Sequence, residues 1–242
     1  DDLERAQELA RARGLVPPGD LGSAGLTKVR ERLERIVAPC GHLELQPGPH
    51  RTVDVEVELR DGRTLIGTVP GLAADDWRLE AVRYSRVAPK HRLAAWASFL
   101  ALSADDPSKP WAAATVGRHP WKKRGHPAQA VQLPTLRGSA AEVRATAVAE
   151  LGRLVDLYDR GRTAPLPLYC ATSAKVADNL YHTKDPMNYV SKEWETKDYA
   201  GFDHEDRDPY HLLVLGGQVP ADALLEELCA TAEEASWAAD GR

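Results

Sequence analysis

The chain has 242 residues, of which 43% are hydrophobic and 28% charged, a balance that suits packed domains and excludes wholesale disorder. Its formal charge of −5 argues against a protein that binds nucleic acid by net charge alone, although a basic surface on one face or on a partner subunit is compatible with it. No apolar run approaches the roughly 18 residues of a membrane span, so we expect no membrane partner.

The three cysteines, Cys40, Cys170 and Cys229, are far apart in the chain. They form neither a disulfide framework nor a CxxC pair, which is typical of a protein in the reducing cytoplasm. Cys40 and His42 have no second ligand pair at zinc spacing, so we expect no structural metal. No Walker A, GxGxxG or GxSxG motif occurs, and we expect no cofactor. The chain starts at Asp1 rather than Met, which is expected of a fragment of a longer subunit.

Residues 1–41 are predicted to form a helical linker region. A charged helix is expected over residues 3–13, and the following stretch, residues 13–25, contains two Pro and four Gly and predicts a loop. Apolar residues at helical spacing predict a second helix over residues 26–37, which Pro39 is expected to end.

The stretch at residues 52–104 predicts three strands followed by an amphipathic helix. Apolar and charged residues alternate strictly over residues 53–59, which indicates a strand with one apolar face. Asp61-Gly62 is a strong signal for a tight turn back. The other predicted elements are strands at residues 43–45, 64–69 (broken by Pro70-Gly71), 77–84, 111–116, 128–133 and 211–215, helices at 89–101, 140–158, 173–181, 187–194 and 221–236, and an extended segment at 165–169.

The order of three strands and a helix is similar to the core of restriction-endonuclease-like nucleases of the PD-(D/E)xK type. This resemblance implies an α/β fold over residues 42–242, with a mixed sheet flanked by helices. An active metal nuclease of this class needs an acidic residue on one strand and a D/E-x-K triplet on the next. The carboxylates bind Mg²⁺, which prefers oxygen ligands, and the metal lowers the pKa of the attacking water.

Three residues on the predicted strands occupy the places of those groups. Pro70 stands where the first acidic residue is expected, and it cannot bind a metal. If VRYS aligns with V-D-Y-K of an active enzyme, Arg83 replaces the carboxylate and Ser85 replaces the lysine. Because Arg83 would repel a cation, we predict a degenerate active site without catalytic residues or metal.

One D/E-x-K pattern does occur late in the chain, at Glu195-Thr196-Lys197. It lies in the strongly charged stretch SKEWETKD, where such a short pattern arises readily by chance. It leaves open the alternative of an active metal-dependent nuclease whose acidic residues are Asp75, Asp76 and Glu195.

A basic loop between two predicted strands is the candidate for DNA binding. Lys122, Lys123 and Arg124 can neutralise phosphates, while Trp121 can stack on a base. The alternative interpretation is a solvated hairpin tip with the tryptophan packed underneath.

Six segments follow one another along the chain: RGLVPPGDLG, DGRTLIGTVPG, LEAVRYSRVAPKHRLAAWASFLAL, VDLYDRGRTAPLPLY, KEW and DRDPYHLLVLGG. In this order they resemble the C-terminal region of the RecC family, the gamma subunit of the RecBCD helicase–nuclease (exonuclease V). The resemblance implies a nuclease-like domain that lacks the catalytic set and belongs to a non-motor subunit, with RecB-like and RecD-like partners and DNA within the complex.

Three functions follow from these observations. The first is an inert nuclease-like domain that scaffolds a helicase–nuclease complex in the recombinational repair of DNA double-strand breaks, and that contacts partner subunits and DNA. The second is the active metal nuclease described above. The third is a protein-interaction module without DNA contact.

Overall fold

The alternating pattern near residue 55 forms a strand, as predicted. In β1 (His50–Glu58), Val55 and Val57 are buried, and their neighbours Asp54, Glu56 and Glu58 are exposed. The predicted tight turn also forms, with Gly62 at a φ of 84°, a value that glycine adopts without steric cost. The chain then returns as β2 (Thr64–Ala73).

The computed structural model of the chain describes residues 2–45, 50–73, 77–119, 128–179, 187–197 and 203–224. The predicted helices at residues 3–13, 173–181 and 187–194 and the predicted strands at 77–84, 111–116 and 128–133 are confirmed within a few residues. Besides β1 and β2, the elements in this part of the chain are α1 (Asp2–Ala12), α2 (Gly19–His42), β3 (Arg78–Arg86), α3 (Pro89–Asp105), β4 (Ala112–Arg118), β5 (Gln129–Leu133), α4 (Ala140–Thr163), α5 (Cys170–Asn179), α6 (Met187–Trp194), a 3₁₀ turn (Glu205–Arg207) and α7 (Pro209–Leu215).

The five strands form one mixed sheet in the order β1-β2-β3-β4-β5. β2 and β3 are antiparallel and pair at Leu72 and Leu79. β3 and β4 are parallel, and the crossover between them contains α3. β4 and β5 are again antiparallel. With helices flanking the sheet, the fold is of the α/β class, as predicted.

The prediction that Pro70-Gly71 breaks the second strand is wrong. β2 continues through both residues to Ala73. Gly71 adopts a φ of 88°, and a Cβ there would lie 3.2 Å from the Glu80 carbonyl oxygen. The strand therefore continues beyond Pro70 because the next residue is glycine. At Gly71 the positive φ and the close approach of β3 both favour a residue without a Cβ.

The predicted loop at residues 13–25 is correct only in its first part, because α2 already begins at Gly19. A Cβ on Gly22 would lie 1.8 Å from the Pro17 carbonyl oxygen. This glycine therefore does not mark a loop but lets the residues before α2 pack closely against the first turn of the helix. At the other end α2 continues through Pro39 to His42. The predicted short strand at residues 43–45 does not form, and Leu43 instead caps the helix.

The prediction of a last strand at residues 211–215 is also wrong, since these residues belong to α7. Asp208 accepts hydrogen bonds from the backbone N–H groups of Tyr210 and His211, at 2.9 and 3.4 Å, and Pro209 occupies the first helical turn. An N-cap aspartate followed by proline is a strong start signal for a helix, and it overrides the strand propensity of Leu-Val-Leu. The predicted helix from residue 221 begins as expected, but residues 225–236 lie outside the described residues.

The chain divides into two compact units, each built from separate segments. Unit 1 comprises Asp1–Val53, Thr68–Val87 and Pro110–Thr135, and unit 2 comprises Asp54–Gly67, Ala88–Lys109 and Leu136–Arg242. The predicted boundary between residues 41 and 42 stays a prediction. None of the helices in the described ranges is long and apolar enough to cross a membrane.

In unit 1, α2 packs on the sheet through a small apolar core of Ile36, Ala114 and Val116. A buried ion pair fixes the end of this helix. Arg78 Nε lies 2.9 Å from the buried Glu80 carboxylate, and its two other nitrogens donate to the carbonyl groups of residues 43 and 44 at 3.1 and 2.8 Å. The pair therefore connects β3 to the segment that follows α2.

In unit 2, α3 packs against α4, and α5 packs against α6. The second pair surrounds Trp194, which is fully buried and donates from its indole Nε1 to the Val219 carbonyl oxygen at 2.6 Å. The helix predicted over residues 140–158 is confirmed as α4, although it extends to Thr163.

Candidate nucleic-acid interface

The pairing of β3 with β4 is irregular in the last residues of β3, which no sequence pattern predicted. Its parallel pairing with β4 is regular from Arg78 to Val82, which lies opposite Val116. The next pair joins Arg86 to Arg118, so four steps along β3 correspond to two along β4. Residues 83–85 therefore form a bulge, a feature that re-aims side chains at the end of a strand.

Gly117 of β4 makes this bulge possible. A Cβ on Gly117 would lie 2.7 Å from the Ser85 carbonyl oxygen and 3.2 Å from that of Arg83. Both contacts are with backbone oxygens, which cannot move aside as the end of a flexible side chain can. The bulge therefore requires glycine at this place.

Tyr84, at the centre of the bulge, connects three elements of unit 1. Arg118 of β4 donates from Nε to the Tyr84 carbonyl oxygen at 2.7 Å, and its guanidinium carbon lies 5.1 Å from the centre of the tyrosine ring. Arg32 of α2 donates to the Tyr84 hydroxyl at 3.3 Å. The tyrosine thus holds two arginines close together at the surface.

We call Arg32, Arg83, Arg86 and Arg118 the arginine patch. Arg83 and Arg86 are exposed, and within the described ranges none of the four forms an ion pair with a carboxylate. Unit 1 as a whole carries 15 Lys or Arg against 11 Asp or Glu, a formal charge of +4. Unpaired guanidinium groups attract phosphate and repel divalent cations.

The predicted degenerate positions lie on two neighbouring strands. Arg83 and Ser85 lie in the bulge of β3. Pro70 is exposed in β2, two residues before Leu72, which pairs with Leu79 of the antiparallel β3. The prediction that these three positions replace catalytic groups stays a prediction.

The triplet Glu195-Thr196-Lys197 does not offer free metal ligands. Glu195 Oε2 lies 3.2 Å from Lys197 Nζ, and Oε1 accepts a hydrogen bond from the Ala221 N–H at 3.4 Å. Asp75 and Asp76, the other acidic residues of the active-nuclease alternative, lie outside the described residues.

The acidic loop before α7 uses its carboxylates within the protein. Glu205 accepts hydrogen bonds from the N–H groups of Ala171 and Thr172 at the start of α5, both at 2.8 Å. Asp206 is buried and accepts from the Thr196 N–H at 3.0 Å and from the Thr196 hydroxyl. In the residues that can be described, no group of three or more His, Cys, Asp or Glu side chains is placed to hold a metal ion.

The two cysteines within the described residues, Cys40 and Cys170, are not activated nucleophiles. Burial, and secondarily the Glu80 carboxylate, raises the pKa of the Cys40 thiol. Burial, and secondarily the Glu205 carboxylate, raises the pKa of the Cys170 thiol. Because the thiolate is the reactive form, both side chains are protonated and unreactive at neutral pH.

The residues predicted to bind DNA, Trp121, Lys122, Lys123 and Arg124, lie outside the described residues, and that prediction stays a prediction. Sequence reasoning missed Arg32 and Arg118 entirely. The only available signal was the repeated arginine in the RYSR and GR segments of the two strands. Nothing local connects the RYSR segment to Arg32, which lies 52 residues before Tyr84 in the chain.

A family model described as the RecC C-terminal domain matches residues 1–181, which is most of the chain. The chain belongs to this family. RecBCD enzyme subunit RecC of Mycobacterium tuberculosis, in strains H37Rv and CDC 1551, is 35% identical over 213 residues, or 88% of this chain. The protein of the same name from Mycolicibacterium smegmatis is 34% identical over 181 residues, or 75% of this chain.

The RecC C-terminal domain is only part of these relatives. The matched region is 18% of the M. tuberculosis proteins and 15% of the M. smegmatis protein. The chain therefore spans less than a fifth of the length of the curated relatives that it matches.

Proposed function

We propose that this chain is a non-catalytic, nuclease-like domain of a RecC-type subunit. It helps to scaffold a helicase–nuclease complex in the recombinational repair of DNA double-strand breaks. The observation that carries the proposal is the bulge of β3: where an active nuclease of this type needs a carboxylate and a lysine, the chain has Arg83 and Ser85, next to Arg118 and Gly117. A cationic site of this kind disfavours the divalent metal that the reaction requires.

The topology supports the nuclease-like part of the proposal. A helix, three successive strands, a crossover helix and a strand parallel to the third follow one another in α2, β1–β3, α3 and β4. That includes the order of three strands and a helix by which the sequence resembles the restriction-endonuclease-like core. A shared order of elements supports a fold, whereas function depends on the side chains.

The arginine patch supports contact with DNA. Arg83 and Arg86 belong to the bulged end of β3, Arg118 pairs with Arg86 from β4, and Arg32 contacts Tyr84 in the bulge. Arginine binds phosphate oxygens in a planar, forked geometry, and such contacts position a protein on nucleic acid without reading its sequence. The patch is thus suited to the backbone of DNA that passes through a larger assembly.

The partners follow from the family. The relatives are named as subunits of the RecBCD enzyme, so RecB-like and RecD-like subunits are the proposed partners of this chain, in the cytoplasm and without a cofactor.

A nuclease assay tests the catalytic part. The purified chain is incubated with linear duplex and single-stranded DNA and with Mg²⁺ or Mn²⁺, beside Glu195→Gln and Lys197→Met variants. We expect no cleavage above that of a sample with chelator. Cleavage that disappears in either variant would establish the active-nuclease alternative and overturn the proposal.

A binding assay tests the DNA part. The Arg83→Gln/Arg86→Gln variant is compared with Arg144→Gln, an exposed arginine of α4, over a range of salt concentrations. Each lost phosphate contact should lower the slope of log K against log salt by about 0.9 for duplex DNA. An unchanged slope in the first variant would favour the interaction module without DNA contact.

A further inference from the structure

Helix α7 in unit 2 has an apolar face that is turned to solvent. Tyr210, Leu213 and Val214 are 78%, 80% and 54% exposed. Residues at these spacings lie on the same side of a helix, so the three side chains form one continuous surface. We call these three residues the α7 face. Single exposed apolar residues are ordinary, but a contiguous apolar surface marks an interaction site.

The side of α7 opposite the α7 face packs against the core of unit 2. His211 packs its ring against Tyr169 and Trp194, with ring centres 5.0 and 5.8 Å apart, and its Nδ1 lies 2.9 Å from the Glu205 carbonyl oxygen. Leu215 packs against the buried cluster around Trp194. The inner side of the helix is therefore anchored in the core of unit 2, and the outer side is fixed in an outward position.

Both ends of this short helix are also fixed. Asp208 caps the first turn, and Gly216 ends the helix in the left-handed conformation, at a φ of 72°. A surface that is ordered before binding loses little conformational freedom when a partner arrives. The α7 face is thus preorganised for docking.

The charges of unit 2 restrict what can dock there. Unit 2 carries 16 Lys or Arg against 25 Asp or Glu, a formal charge of −9. Asp203, Asp208 and Asp222 are close to the α7 face along the chain, against one cation, Arg207, which pairs with Asp203 at 3.6 Å. Nucleic acid and an anionic membrane would be repelled, and a second copy of the same acidic unit would be repelled as well.

We propose that the α7 face docks a basic protein surface, an apolar segment flanked by Lys or Arg on another subunit of the complex. The apolar side chains of the partner cover Tyr210, Leu213 and Val214, and its cations lie against the acidic residues around them. This inference rests on the proposed function, in which the chain belongs to a multisubunit assembly, and it names the surface and the chemistry of one contact in that assembly.

The test uses the complete subunit and its purified RecB-like and RecD-like partners from the same organism. The variant Leu213→Asn/Val214→Asn removes the apolar surface without changing charge, and Leu93→Asn, at an exposed leucine of α3, is the matched control. We expect the double variant to weaken assembly at least about tenfold, as is usual for a central apolar contact, and the control to leave it unchanged. Asp222→Lys should weaken assembly more strongly at low salt than at high salt, because salt screens the interaction between charges.

Hydrogen exchange locates the contact. Amides of residues 210–215 should exchange more slowly once the partners are added than in the free subunit. Because these amides are already hydrogen-bonded in the capped helix, the two exchange rates are compared, and equal rates would overturn the inference. A dimer of the free subunit that the double variant dissociates would overturn it in favour of a second copy.

Normal assembly of the double variant, without protection on binding, would also overturn the docking inference. That result would leave the proposed function intact, because absence of cleavage and DNA binding through the arginine patch are measured separately. Loss of assembly in the double variant with normal DNA binding is the result that supports both.

Discussion

Unit 1 and unit 2 differ in how they place some of their arginines. In unit 2, Arg63 contacts Asp61, Asp156 and Asp159, and Arg92 forms two hydrogen bonds of 3.0 Å with Asp178. These contacts raise the pKa of Arg63 and lower that of Asp61. In unit 1 the arginine patch has no such carboxylates within the described ranges, so its charge is available to a ligand.

The difference shows why the overall charge of −5 is a poor guide to binding. It is the sum of a unit at +4 and a unit at −9. A single number suggests weak interaction with DNA, whereas the separate units suit two partners of opposite charge. Substitutions in both units test whether the units differ in stability and function as their side-chain contacts indicate, from the largest expected effect to the smallest.

The largest effect is expected in the core of unit 2. Trp194→Ala should lower the free energy of unfolding by about 3–5 kcal/mol, because it removes a fully buried aromatic side chain and leaves a cavity. Trp194→Phe should cost less, since it keeps much of the packing and loses the hydrogen bond to Val219. Urea unfolding measures both, and a loss below about 1 kcal/mol for Trp194→Ala would contradict the buried position.

In unit 1, Glu80→Gln should lower the free energy of unfolding by about 2–3 kcal/mol, because it leaves the partly buried Arg78 without its carboxylate. The loss is at the low end for a buried pair, since Arg78 keeps its hydrogen bonds to two carbonyl groups. Glu44→Gln, at an exposed position, is the control and should change stability by less than about 0.5 kcal/mol. Equal effects of the two changes would mean that the pair is not structurally important.

Two glycine substitutions should change the free energy of unfolding in opposite directions. Gly117→Ala should destabilise unit 1 by about 1–3 kcal/mol and weaken DNA binding, because the new methyl group collides with the carbonyl oxygen of Ser85. Gly152→Ala, in the open interior of α4, should stabilise unit 2 by about 0.5–1 kcal/mol. Thermal unfolding and salt-dependent binding check both, and a neutral Gly117→Ala would show that the bulge relaxes.

A small effect is also expected at the start of α4. Ser139 and Glu142 form a capping box, and Ser139→Ala should cost about 1 kcal/mol. Hydrogen bonds from the Ser139 N–H and hydroxyl lower the pKa of Glu142 below its ordinary value of 4.5. Its contribution is therefore present above that value and is lost as the pH falls through the lower pKa of the folded state.

The pH dependence gives a direct comparison of the two units. Glu142→Gln should reduce the fall in stability between pH 7 and pH 3, measured by urea unfolding at each pH. Helix α2 of unit 1 starts after Pro18 without a side-chain cap, so Asp20→Asn in its first turn should leave that fall nearly unchanged. Identical pH profiles for the two variants would contradict the role of the capping box.

The sequence predicted the elements whose signals are local. Alternation identified β1, Asp61-Gly62 identified the turn, and apolar spacing identified α4. The errors arose where two local signals competed. At residues 208–215 the cap formed by Asp208 and Pro209 prevailed over strand propensity, and at residue 70 a glycine after the proline allowed the strand to continue.

The expectation that Arg83 and Ser85 cannot support metal chemistry was drawn from residue type alone, and it stays a prediction. The bulge, the role of Gly117 and the contact of Tyr84 with Arg32 were not predicted, since they depend on a register shift and on residues that are distant in the chain.

The sequence by itself determined the alternation of the first strands and the family to which the chain belongs. Only the tertiary structure decided which charges are neutralised: Glu195 by Lys197, Arg63 by three aspartates, and the arginine patch by no carboxylate in the described residues. The physical reason is that hydrogen bonds and ion pairs act over a few ångströms in space. Residues that are neighbours in the sequence determine helices and strands. Which charged groups remain free to bind depends instead on the residues that are neighbours in the folded structure.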